Sequence, residues 1–147
     1  MRLVIPVVAA LLVGLVGFFL LIPSKTDFHS GPCQNESAAI GSLRTLNTLE
    51  TQYRATHPEK GLTCELSLLD SADATKSLLT GVLSGYRFEI SGCEPDTHGV
   101  ASHYRATAVP LRQALTGIRA FCSDESGRVF YDPNGSAEGC LSLNRPI

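Results

Sequence analysis

Apolar positions recur at helical spacing between Gln34 and Thr56. At 100° per residue Ala39, Ile40, Leu43, Leu46, Leu49 and Tyr53 fall on one side, and Ser37, Arg44, Thr45, Thr48, Thr51 and Gln52 on the other. The pattern predicts one amphipathic helix. Asn35 is a candidate N-cap, because its side-chain oxygen can accept an orphan backbone N–H. Pro58 supplies the stop by disfavouring α conformation at His57. Glu50 intrudes on the apolar side, four residues before Arg54, the favourable order for a helical ion pair. Two readings follow for that pair: a salt bridge at the border of the core, or, with Arg44, a contact to a neighbouring subunit.

Beyond the helix, His57 to Gly61 reads as a turn and Leu62 to Asp70 as irregular chain. Ser71 to Leu83 reads as a second short helix with Gly85 beyond its end. The period then changes to alternation, which marks strands with one buried face. Four strands are predicted, Tyr86 to Ile90, Tyr104 to Val109, Ile118 to Cys122 and Arg128 to Tyr131. The turns between them, such as Asp124 to Gly127, are short enough to pair sequential strands antiparallel. The predicted class is α+β, a long helix across a four-stranded antiparallel sheet.

The N-terminus has a different pattern. Leu3 to Ile22 is an uncharged apolar run, and at 1.5 Å per residue it matches a hydrocarbon core of about 30 Å. One reading is an uncleaved transmembrane anchor over residues 1–22, which makes membrane lipid a partner through residues 3–22. The other is a cleaved signal sequence, although the run is long for one and Ile22-Pro23-Ser24-Lys25 is a poor cleavage site. Arg2 favours a cytoplasmic N-terminus. The expected organisation is therefore an anchor at 1–22, a linker at 23–33 broken by Pro23 and Gly31-Pro32, and a globular domain at 34–147. The expected location is single-pass in the inner (cytoplasmic) membrane, with the domain extracytoplasmic or periplasmic.

Composition narrows the functions. The 147 residues carry a net charge of −2, no Trp and 7% aromatic residues, so nucleic acid is not an expected partner. Five Cys in so short a chain suggest an oxidising compartment, and the odd count leaves one thiol over. No Cys pair has zinc-knuckle or Cys-x-x-Cys spacing, and no nucleophile, phosphate-loop or metalloprotease string occurs, so neither catalysis nor a cofactor is expected. Asp132, Asn134, Ser136 and Glu138 place oxygen side chains at alternate positions, a weak Ca²⁺ candidate against ordinary Asp-Pro-Asn-Gly turn chemistry.

The string Asn35 to Glu50, the Tyr53 to Pro58 turn, Gly117 to Gly127 and Tyr131-Asp132-Pro133 together resemble bacterial type IV pilin-like and pseudopilin-like proteins. The resemblance spans roughly Asn35 to Gly139. It departs from that family at the N-terminus, where no Gly-Phe-Thr-Leu-Ile-Glu string and no acidic residue inside the apolar run occur. The resemblance implies a helix-on-sheet fold and action by assembly or protein–protein contact. It also implies the disulfides Cys64–Cys93 and Cys122–Cys140, which leaves Cys33 unpaired, and it adds a second reason to consider Ca²⁺ near the C-terminus. A small-ligand or Ca²⁺-binding module, secreted or anchored, is the rival function.

Overall fold

The computed structural model describes residues 31–69 and 76–147. Helix α1, Pro32–Thr56, opens the described chain. A 3₁₀ turn at Leu66–Leu68, the short helix α2 at Lys76–Leu79 and the strand β1 at Val82–Leu83 follow. Then come β2 (Tyr86–Ser91), β3 (Arg105–Pro110), β4 (Ala120–Asp124) and β5 (Val129–Asp132). Helix α3 (Ala137–Leu143) and β6 (Arg145–Pro146) close the chain. The strands form one antiparallel meander in sequence order.

The class is α+β, but the sheet has six strands and not the expected four. Both additions are two-residue edge ribbons, too short to show alternation. Val82 and Leu83 lie in the apolar run read as the end of a helix. Arg145–Pro146 carries a proline, which suits an edge strand. Of the helix expected over Ser71 to Leu83, the described part is α2 and β1; residues 70–75 lie outside the described residues. Helix α3 falls in the C-terminal segment, for which no element was predicted. Its N-cap is Ser136, whose Oγ accepts the Gly139 N–H at 3.1 Å.

The expected transmembrane helix and the single-pass inner-membrane location are corrected. Among the described residues no helix is long and apolar enough to cross a membrane. The run at 3–22 lies outside the described residues.

α1 begins earlier than the pattern suggested. Gly31 is its N-cap, and Pro32 takes the first turn, where a missing N–H costs nothing. Asn35 therefore lies inside the first turn and is no cap; its Nδ2 donates to the Thr116 carbonyl at 2.9 Å. The helix ends at His57, before Pro58.

The apolar side of α1 lies on the sheet. Ala39, Leu43 and Leu46 are fully buried against Tyr86, Phe88, Ala106, Ala108 and Phe121. Truncating either leucine to alanine is worth about 2–5 kcal/mol. Gly61 holds the chain after α1 close to Ala101, in the segment between β2 and β3. Its φ of +80° suits glycine, and a Cβ there would collide with the Ala101 carbonyl. That closeness lets Leu62 N–H bond to Ala101 O and Ala101 N–H to Lys60 O, both at 2.9 Å. Two disulfides pin the periphery. Cys64–Cys93 ties this segment to the exit of β2, and Cys122–Cys140 ties β4 to α3. These are the pairs the resemblance implied.

Candidate interaction surface

α1 carries two acids and two bases, and the fold separates them. Both acids point inward and both arginines outward.

Glu36 anchors the start of the helix. Its Oε1 accepts the backbone N–H groups of Ile118 at 2.9 Å and Arg119 at 3.0 Å. Its Oε2 accepts from both Nε and Nη2 of Arg119, at 2.9 and 2.7 Å, two charge-assisted bonds to one oxygen. The guanidinium also lies over the rings of Phe121 and Tyr131, and Tyr86 Oη donates to the Arg119 carbonyl. Burial pushes the Glu36 carboxyl up, but the Arg119 and Ile118 N–H groups and then the guanidinium outweigh it, so it sits below its ordinary value.

Glu50 is fully buried. Its Oε2 accepts the Thr63 N–H at 3.0 Å, and its Oε1 has no hydrogen-bond partner among the described residues. Desolvation raises the carboxyl to about 7, and the Thr63 bond only partly opposes this. The expected Glu50–Arg54 ion pair does not form, because Glu50 packs into the core while Arg54 stays exposed. Glu50 is therefore not available as a subunit contact. Arg44 and Arg54 are.

Between these acids Asn47 joins the helix to the sheet. Its Oδ1 accepts from Tyr104 Oη at 2.6 Å and from Ser123 Oγ at 3.0 Å.

The outward face of α1 is polar yet self-satisfied. The hydroxyls of Ser37, Thr45, Thr48 and Thr51 all donate to carbonyls four residues back. That leaves the threonine methyl groups and the two arginines to meet solvent. Beside this face runs a shallow groove against the β4–β5 turn. One end, about 390 Å³, is bordered by Arg44, Thr48, Gln52 and Gly127. The other, about 550 Å³, is bordered by Arg54, Pro58, Leu62, Tyr104 and Glu125. Asn47, Thr51 and Gly127 border both.

A second cleft of about 500 Å³ shares Tyr104 and Glu125 with that groove. Glu94, His103, Arg105, Asp124 and Glu125 line it beside Cys122 of the disulfide. His103 Nδ1 and Glu125 Oε1 are 2.6 Å apart. Burial raises the Glu125 carboxyl, but the bonds from His103 and the backbone outweigh it and hold it below its ordinary value. The cleft's serine, Ser123, donates to Asn47 and not to the histidine.

The four Ca²⁺ candidates fall between the end of β5 and the first turn of α3. Asp132 is buried, and its Oδ2 accepts the Ser136 N–H at 2.8 Å. Ser136 caps α3, the Asn134 carbonyl accepts from Gln113 Nε2, and Glu138 lies exposed in the first turn of α3. Among the described residues no group of three His, Cys, Asp or Glu could hold a metal ion. Cys33 is free and exposed, second in α1. The Glu36–Arg119 latch escaped the sequence reading because its partners are 83 residues apart. An acid near the start of the helix was the only local hint.

Three comparisons with known proteins find no match, whether to a family model, a curated protein or a solved structure.

Proposed function

We propose that this is a pilin-like, disulfide-stabilised domain that works by protein–protein assembly, through the outward face of α1, and not by catalysis. The observation that carries the reading is the segregation of charge on α1. Arg44 and Arg54 are exposed with no acid on their own face, because Glu36 and Glu50 are both turned into the fold. The back-bonded threonines beside them have little polar capacity to lose on contact. A second copy offers a complementary surface in the cleft of Glu94, Asp124 and Glu125. The residues that resemble pilin-like proteins, Asn35 to Glu50 and Gly117 to Gly127, lie on the helix and at the sheet end that this reading uses. The two disulfides fit an oxidising environment.

The test is self-association of the purified chain, measured by sedimentation velocity across concentration and salt. Association that weakens with salt and is lost in Arg44→Glu/Arg54→Glu supports the reading. A monomer at every concentration, or association indifferent to both changes, refutes it. The cleft itself favours the second reading, capture of a small charged ligand, since it holds both acids and Arg105 in a concave site.

A further inference from the structure

Glu50 is not explained by assembly, because it never reaches the surface. It is a fully buried carboxyl with one oxygen bonded to Thr63 and the other bonded to nothing described. A buried, half-satisfied acid in a native core calls for a specific account.

Its surroundings supply one. On its own helix it lies between Asn47 and Arg54, which border the groove. Thr63, its bonding partner, follows Leu62, which forms the groove wall. Tyr104, which also borders the groove, feels its charge; burial raises that hydroxyl, and Glu50, then Asp124 and Glu125, raise it further. The Leu62 segment is clamped to Ala101 on one side and to Glu50 on the other. Leu62, next to the bonding partner of Glu50, and Tyr104, whose hydroxyl feels its charge, therefore link the buried carboxyl to the groove that both border.

The charged and titratable groups near it do not neutralise it. Arg54 is exposed and makes no ion pair among the described residues. From the turn after α1, His57 stacks on Tyr53 and its Nδ1 lies against the Tyr53 carbonyl. Tyr104 is committed to Asn47. Asp124 and Glu125, from the end of β4, are acids, and Glu125 is paired with His103.

We propose that Glu50 is a proton-operated latch on the groove: protonated, it lies dry in the core with the Leu62 segment closed over it; ionised, it draws water to its free oxygen and parts Leu62 from Tyr104. Thr63 is the pivot, because a carboxylate holds that N–H at least as well as the acid does. The upward shift to about 7 puts the change near neutral pH. The device does not depend on what occupies the groove, so it stands or falls separately from self-association.

The test is NMR of the full chain from pH 5 to 9, following the Glu50 side-chain carboxyl carbon, the Thr63 amide, the Leu62 methyls and the Tyr104 ring. A His57→Gln/His103→Gln variant removes the nearby imidazoles, and Glu50→Gln removes the acid. The expected result is one midpoint near 7 at all four sites, with water contacts appearing at the Leu62 methyls above it. It persists without the histidines and is absent in Glu50→Gln. The proposal is overturned if Glu50 titrates near its ordinary 4.5, if Leu62 and Tyr104 stay fixed while Glu50 ionises, or if they move equally in Glu50→Gln. If Glu50→Gln does not fold, the wild-type and histidine-free titrations decide the matter alone.

Discussion

Arg119→Met tests how α1 is held to the sheet. Methionine keeps much of the side chain's apolar length against Phe121 and Tyr131 and removes the guanidinium. Glu36 then keeps its two backbone N–H bonds and loses the two from Arg119. Breaking a fully buried ion pair costs about 3–5 kcal/mol. Here the Glu36 side chain is 8% exposed but that of Arg119 is 40%, so water screens part of the attraction. About 2–3 kcal/mol remains, and Glu36→Gln should cost a similar amount. Because each variant destroys the same pair, the double variant should cost clearly less than the sum, with a coupling energy above about 1 kcal/mol. Urea unfolding followed by tyrosine fluorescence suits a chain with four Tyr and no Trp. The pH dependence gives a second check. Glu36 has a lowered value in the fold, so its stabilisation is fully present above its unfolded value of 4.5 and is lost as pH falls through the folded one. The gap between wild type and Glu36→Gln should therefore close in acid. Additive single costs, or a gap that persists unchanged in acid, would refute the latch.

Glu50 carries the opposite sign. Its value rises from 4.5 to about 7 on folding, so stability is fully present below 4.5 and falls until about pH 7, by a total of ~3 kcal/mol. Thermal melts at pH 5 and pH 8 should show that loss in wild type and much less of it in Glu50→Gln; equal losses would contradict the assignment. The Cys122–Cys140 bridge closes a separation of 18 residues, worth about 3 kcal/mol on the chain-entropy model, so Cys122→Ser/Cys140→Ser should lower the melting midpoint by roughly 10 °C in oxidising buffer. An unchanged midpoint would remove the bridge. Gly61→Ala should cost about 2–4 kcal/mol by calorimetry, from its positive φ and the collision with Ala101; a neutral result would mean the 60–63 segment packs more loosely than described.

Much of this fold is local chemistry and so legible along the chain. The spacing of Ala39, Leu43, Leu46, Leu49 and Tyr53 dictates α1 and its buried side, because a 3.6-residue period can hide that stripe only one way. Alternation places β2 to β5 within a residue or two, with Tyr86 and Phe88 inward. The α3 cap at Ser136 was also written there, but turn chemistry and a metal-like pattern compete for the same letters. Long-range partners decided the rest. Glu36 and Glu50 look alike in sequence, two acids on one helix, yet one meets Arg119 and two backbone N–H groups while the other meets a single N–H and a dry core. Their opposite pH behaviour follows from that difference in solvation and hydrogen bonding alone. The edge ribbons β1 and β6 likewise exist because longer neighbours template them. Periodicity along the chain determines which face of each element is buried. Only the tertiary structure determines what each polar group meets there, because burial makes a charge depend on partners dozens of residues away.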